Sequence, residues 1–154
     1  MQIMKSKTLR SAMFSMVFLM LVTGALYLFV STQEIADASQ EFNDSVGKTQ
    51  EFPSGAFIET AFFAAVGAAY IPVGVWATVT KHTSKIPYIL AIGGSVSLII
   101  LYVLSRTVDI PLVGQQDDVG FIDILSKVLQ AGIIAVSAYI IVSIRRDRKI
   151  SLLT

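Results

Sequence analysis

The sequence predicts an all-α integral membrane protein, an antiparallel bundle of four transmembrane helices with both termini in the cytoplasm. Three observations predict it. Four long apolar stretches run through a chain of 154 residues, enough for a single membrane domain. Mean hydropathy is +0.69, with 54% hydrophobic and only 15% charged residues, outside ordinary soluble composition. The charges are also sorted by segment. Lys5, Lys7, Arg10, Lys81, Lys85, Arg145, Arg146, Arg148 and Lys149 share alternate connecting segments with one acid, Asp147, a balance of +8. The remaining segments hold ten acids against Lys48, Arg106 and Lys127, a balance of −7. Four crossings of a bilayer place the two sets on opposite faces, and the positive-inside rule assigns the basic face to the cytoplasm. A multi-pass protein of the cell membrane is the expected setting, with spans at about 11–31, 57–79, 86–105 and 121–144. Residues 32–56 and 106–120 then lie outside, and 1–10, 80–85 and 145–154 inside.

The first span, Ser11 to Ser31, has 21 residues without a charge. At ~1.5 Å per residue it matches the ~30 Å hydrocarbon thickness. A basic stretch precedes it and Ala36-Asp37-Ala38 has the small-x-small form of a cleavage site, so a signal peptide is the competing reading. Cleavage would leave three spans and an external N-terminus. The length of the run favours a retained helix, since signal peptides have apolar cores of ~7–15 residues. Beyond it, Ile35, Ala38, Phe42 and Val46 recur at helical spacing. That pattern fits an amphipathic extension ended by Gly47, and a solvated loop fits as well. Pro53-Ser54-Gly55 reads as the turn before the second span.

The second span is rich in small residues. Ala61, Ala65 and Ala69 form one row and Ala64 and Ala68 another, the spacing that lets membrane helices approach closely. Pro72 removes one backbone donor and leaves the Ala68 carbonyl without its usual partner, so a helix kink is expected there. Packing geometry is the commoner meaning of such a kink, and a gating or ion-coordinating element the rarer one. Trp76 and Tyr88 fit an aromatic belt at the inner interface. Lys81-His82-Thr83-Ser84-Lys85 is a tight turn, which makes helices two and three antiparallel neighbours. Ser84 suits a cap and Pro87 a first helical turn.

The third span, Ile86 to Ser105, is uncharged and carries Gly93-Gly94-Ser95 at its middle. The fourth starts near Phe121, has Ala131 and Ala135 as its small-residue row, and ends at the basic cluster Arg145–Lys149. Asp123 and Lys127 stand four apart, within pairing distance on one helix face. Val128 to Ile144 is 17 residues, just enough to span, so Lys127 can sit at the interface and snorkel outward.

Glu59, Arg106, Asp109, Asp117, Asp118, Asp123 and Lys127 form the candidate functional or structural polar cluster on the outer side. Carboxylates without imidazole or thiolate suit a hard cation such as Ca²⁺. Asp117-Asp118 nevertheless lacks the spaced acids of a calcium loop, so no metal is assigned. The simpler role is that Arg106 pairs with Glu59, Asp109, Asp117 or Asp118 and holds the loop over the helix ends. With no cysteine, disulfides and thiolate metal centres are excluded, and the single His82 excludes a multi-histidine centre. The cations are too few and too close to the membrane to follow a nucleic-acid backbone. Phosphate-binding, metalloprotease and nucleophile-elbow motifs are absent, so neither an enzyme nor a cofactor is expected.

The tract from Ser105 to Lys127 resembles a segment of small, poorly characterised multispan membrane proteins of archaea and bacteria. Ser105-Arg106-Thr107 ends one helix, Pro111 and Gly114 lie in the loop, and Val119-Gly120 with Asp123 opens the next helix. The resemblance covers about one-sixth of the chain, and Val108-Asp109 departs from it where a neutral pair is expected. It implies the membrane architecture and marks the tract as the site, and it implies no reaction.

The function expected from these features is that of a non-catalytic membrane protein, an accessory subunit of a larger complex or a self-associating scaffold. Its partners would be the lipid bilayer and a membrane protein or further copies of itself. The alternative is a small transporter or channel subunit, with Glu59, Arg106, Asp123 and Lys127 as a charged outer vestibule.

Overall fold

The computed structural model describes residues 2–45, 54–80, 84–107 and 120–151, and they form four helices. These are α1 (Gln2–Ser45), α2 (Ser54–Val79), α3 (Ile86–Thr107) and α4 (Phe121–Ser151). Each contains a stretch long and apolar enough to cross a membrane: Lys7–Ala36, Thr60–Val79, Ile86–Thr107 and Phe121–Arg146. The chain is therefore a multi-pass membrane protein by helix length and composition.

Local chemistry sets several helix ends. The Ile86 N–H donates to Ser84 Oγ at 3.2 Å, so Ser84 caps α3 as its sequence position suggests. Pro87 lies in the first turn, where a missing N–H costs no helix bond. At α4 the Gly120 carbonyl accepts from the N–H groups of Asp123 and Ile124. The Asp123 carboxylate reaches back to the Gly120 N–H at 3.4 Å, the reciprocal half of a capping box.

The helices neighbour one another in a ring, α1 against α2, α2 against α3, α3 against α4, and α4 back against α1. Every pair is antiparallel. On α1 and α2, Ser31 Oγ donates to the Thr60 carbonyl at one end, while Met20 lies beside Gly74 towards the other. Tyr27 meets Gln130 and Met16 meets Ser137, so α4 descends as α1 rises. The core is built from Met16, Met20, Tyr27, Tyr88, Ile133 and Ile140, all nearly or wholly inaccessible. Three of these residues belong to α1, and α1 has its most extensive interface with α2. The first span is thus a structural member of the bundle.

The seam between α1 and α2 is a backbone-to-backbone contact. A Cβ placed on Gly24 would lie 3.0 Å from the Gly67 carbonyl oxygen. One on Gly67 would lie 2.9 Å from the Gly24 carbonyl and 3.0 Å from the Leu28 nitrogen. Only glycine at both positions allows this approach, and the Tyr27–Tyr70 stack (centroids 6.3 Å apart) and the Ser31–Thr60 bond rest on it.

Several expectations change. The close-approach surface is Gly24 against Gly67, whereas Ala61, Ala65, Ala68 and Ala69 are exposed and only Ala64 is half-buried. Gly93 and Gly94 have open space over them, and Ala131 and Ala135 are exposed. Spacing alone identifies a small face, but which face turns inward depends on where the larger core side chains fit. Tyr88 is buried and its O–H donates to the Ala77 carbonyl at 3.4 Å, so it belongs to the core and not to an interfacial belt. Trp76 is 40% exposed. Both α1 and α4 outrun their spans. At ~1.5 Å per residue, α1 with 44 residues is ~66 Å long, and α4 continues through Arg145 to Ser151. The extension after Ser31 is accordingly helical as far as Ser45, with Ile35 exposed, and Val46 and Gly47 lie outside the described residues. Pro72 lies on an exposed face of α2, which remains helical through it.

Candidate functional site

The outer polar cluster is only partly within the described structure. Asp109, Asp117 and Asp118 lie outside the described residues, as does the side chain of Glu59. Arg106, Asp123 and Lys127 are brought together where the last turn of α3 meets the first turns of α4.

Their pairing differs from the expected one. Arg106 Nη2 bonds Asp123 Oδ2 at 2.9 Å, the ion pair found among the described residues. Asp123 thus takes Arg106 rather than Lys127, while the loop acids expected opposite Arg106 lie outside the described residues. The antiparallel register of α3 and α4 is the reason. Tyr102 and Arg106 are one turn apart on α3, and Asp123 and Lys127 one turn apart on α4, so Arg106 meets Asp123 while Tyr102 meets Lys127.

Lys127 places its ammonium 4.5 Å from the centroid of the Tyr102 ring, and the Arg106 guanidinium lies 5.1 Å from the same ring. Lys127 is therefore laid across α3 in a cation–π contact. The Arg106 side chain is 15% exposed and that of Asp123 40%, so the pair is partly desolvated. Asp123 serves two donors at once, since it also accepts from the Gly120 N–H. The assembly clamps α3 to α4. Among the described residues no group of three or more potential metal ligands is gathered.

A second polar feature lies inside the bundle and was not anticipated. Ser126, buried one turn below Asp123, donates to the Asp123 carbonyl at 2.8 Å, and its side chain also neighbours the Tyr27 phenol. Gln130, one further turn down, donates from Nε2 to Tyr27 Oη at 2.6 Å. Tyr27 stacks on Tyr70, whose hydroxyl shares a 2.9 Å hydrogen bond with Ser95. All four helices therefore contribute hydroxyl or amide groups to one interior layer. Thr23 Oγ1 and Gln130 Oε1, both fully buried, have no hydrogen-bond partner in it. Gln130 is the only carboxamide between residues 121 and 146, and that is the signal in the sequence that marks it.

The chain matches no known protein family, no curated protein and no solved structure. Its site must therefore be understood from these contacts.

The Tyr27–Gln130 bond is expected to contribute little net stability despite its short length. Interhelical hydrogen bonds in membrane proteins average ~0.6 kcal/mol, and here the amide also buries an unpaired oxygen. Gln130→Leu should shift stability by less than ~1 kcal/mol in a detergent-unfolding titration. A loss of several kcal/mol would mean that the layer is far more cooperative than its pairwise contacts indicate.

Proposed function

We propose that the chain is a non-catalytic membrane protein that acts by associating with other membrane helices, as an accessory subunit or a self-associating scaffold. The supporting observation is the outward direction of its small-residue faces. Ala61, Ala65 and Ala68 on α2 and Ala131, Ala135 and Ala138 on α4 are all exposed. The bundle uses Gly24 and Gly67 for its own closest approach, so these alanine faces remain for another helix. Sorted charge supports cytoplasmic termini, with the Arg106–Asp123 clamp on the outer side.

The test is size and composition of the full chain extracted in a mild detergent. Wild type should run as a homo-oligomer or with a stoichiometric membrane partner. Ala65→Leu or Ala135→Leu should weaken that association about tenfold, the equivalent of ~1.4 kcal/mol. Strictly monomeric protein, unaffected by either change, would remove this reading. Solute flux into proteoliposomes that is lost on Asp123→Ala would instead assign the chain to transport.

A further inference from the structure

The least intimate of the four helix interfaces is that between α2 and α3, although a short turn joins them. Among the described residues the pair is tied by the bond from Tyr88 Oη to the Ala77 carbonyl near the turn and that between Tyr70 and Ser95 at mid-helix. Small residues stand between these ties, and a cleft of about 260 Å³ remains. Val66, Ala69 and Val73 form one wall, Leu90, Gly94 and Leu98 the other, and Met20 of α1 contributes to the lining. Gly94 is exposed with nothing within 4 Å of an added Cβ, and Ala69 and Leu90 are exposed as well, so the cleft opens sideways.

We propose that this cleft binds one acyl chain of an anionic phospholipid. Its walls are mainly aliphatic, Ser97 is exposed, and the Tyr70 hydroxyl is already bonded to Ser95, so nothing deep inside calls for a polar head group. Its small volume argues against the principal competitor, a second helix. A helix is ~10–12 Å across with its side chains and cannot enter such a volume while both inter-helix bonds persist. A single hydrocarbon chain can, and it restores dispersion contacts that an empty apolar slot forfeits.

Charge complementarity selects the head group. From Leu98 to Leu90 the cleft runs towards the end of the bundle where α3 begins, and Lys85 stands five residues before Leu90, ~7–8 Å along the axis. Lys7, Arg10, Arg145 and Arg146 are exposed on the same end of the bundle. A chain lodged along α3 brings its phosphate to this basic rim, where each cation near an anionic membrane surface contributes attraction. The cleft shares Ala69 with the alanine row of α2, whereas Leu90, Gly94 and Leu98 on α3 lie outside it, so Gly94→Phe tests the cleft without altering that row.

Trp76 provides the readout. It is the only tryptophan, lies one turn beyond the wall residue Val73 on α2 and is partly exposed. The full chain is reconstituted in phosphatidylcholine, and brominated phosphatidylglycerol or brominated phosphatidylcholine is titrated in as a fluorescence quencher. Phosphatidylglycerol should quench Trp76 at several-fold lower mole fraction, and native mass spectrometry should retain one such lipid per chain. Gly94→Phe should abolish the difference by filling the cleft, with Ala69→Leu as a second blocking variant from the facing helix. Lys85→Gln should narrow the preference while leaving chain binding. Equal quenching by the two lipids in wild type would overturn the proposal. So would an unchanged preference in both blocking variants, or retention of a second copy of this chain in place of lipid.

Discussion

Replacing Gly67 with leucine is expected to open the α1–α2 seam and destabilise the bundle by ~3 kcal/mol or more, at or beyond the upper end of ordinary overpacking. The first added carbon would already meet the Gly24 carbonyl and Leu28 Cγ at 2.9 Å and the Leu28 nitrogen at 3.0 Å. Two of these three atoms are backbone and cannot rotate away. Relief requires α1 and α2 to separate, which breaks the Ser31–Thr60 bond and the stacking of Tyr27 on Phe63 and Tyr70. Leucine is the better helix former, so propensity alone would predict a gain of up to ~1 kcal/mol. The contact geometry overrides it. Gly93→Ala is the internal control, because open space lies over that position and removing a mid-helix glycine should stabilise by ~0.5–1 kcal/mol. Detergent-unfolding titrations of the two variants should move in opposite directions. Equal behaviour would show that the seam is not the closest contact in the bundle.

Removing the carboxylate at Asp123 should have the second-largest effect, a loss of about 2 kcal/mol. Breaking a fully buried pair costs ~3–5 kcal/mol and an exposed pair ~0–1. Arg106 at 15% exposure and Asp123 at 40% stand between these limits, which discounts the buried figure. Asp123→Ala also removes the acceptor for the Gly120 N–H at the start of α4. Asp123→Asn separates the contributions, since the amide oxygen can still accept that bond while the charge is gone. In a double-mutant cycle with Arg106→Ala the two losses should be strongly non-additive. Lys127→Met should cost less, because a partly exposed cation–π contact is worth ~0.5–1 kcal/mol. If Lys127→Met proved as damaging as Asp123→Ala, with Asp123 coupled to Lys127 rather than Arg106, the register derived for α3 and α4 would be wrong.

Much of the site was legible in one dimension and misassigned in another. Arg106, Asp123 and Lys127 stood out because they are charges at the ends of apolar runs. Their pairing did not, because i to i+4 spacing describes one helix, whereas Arg106 reaches across to α4. The Tyr27–Gln130–Ser126 layer escaped for a related reason. Tyrosine and serine scattered through apolar stretches carry no periodic signal, and they become a layer only when four helices bring them to one depth. Gly24 and Gly67 are single glycines in sequence, and the alanine rows drew attention away from them. Repetition indicates where close contact is permitted, not where the core places it.

The number and extent of the apolar helices and the segregation of charge between their ends follow from the amino-acid order itself. Both depend on the transfer of individual residues between water and hydrocarbon, which is additive along the chain. The caps at Ser84 and Gly120 are local in the same sense, since donor and acceptor lie within one turn. Tertiary structure alone decided which helix face turns inward, which cation meets Asp123 and where the α2–α3 cleft remains open. Those outcomes depend on the volumes of side chains from different helices competing for one interior. Membrane helices gain little from simply hiding apolar surface from one another, so the fit of their contours settles the arrangement.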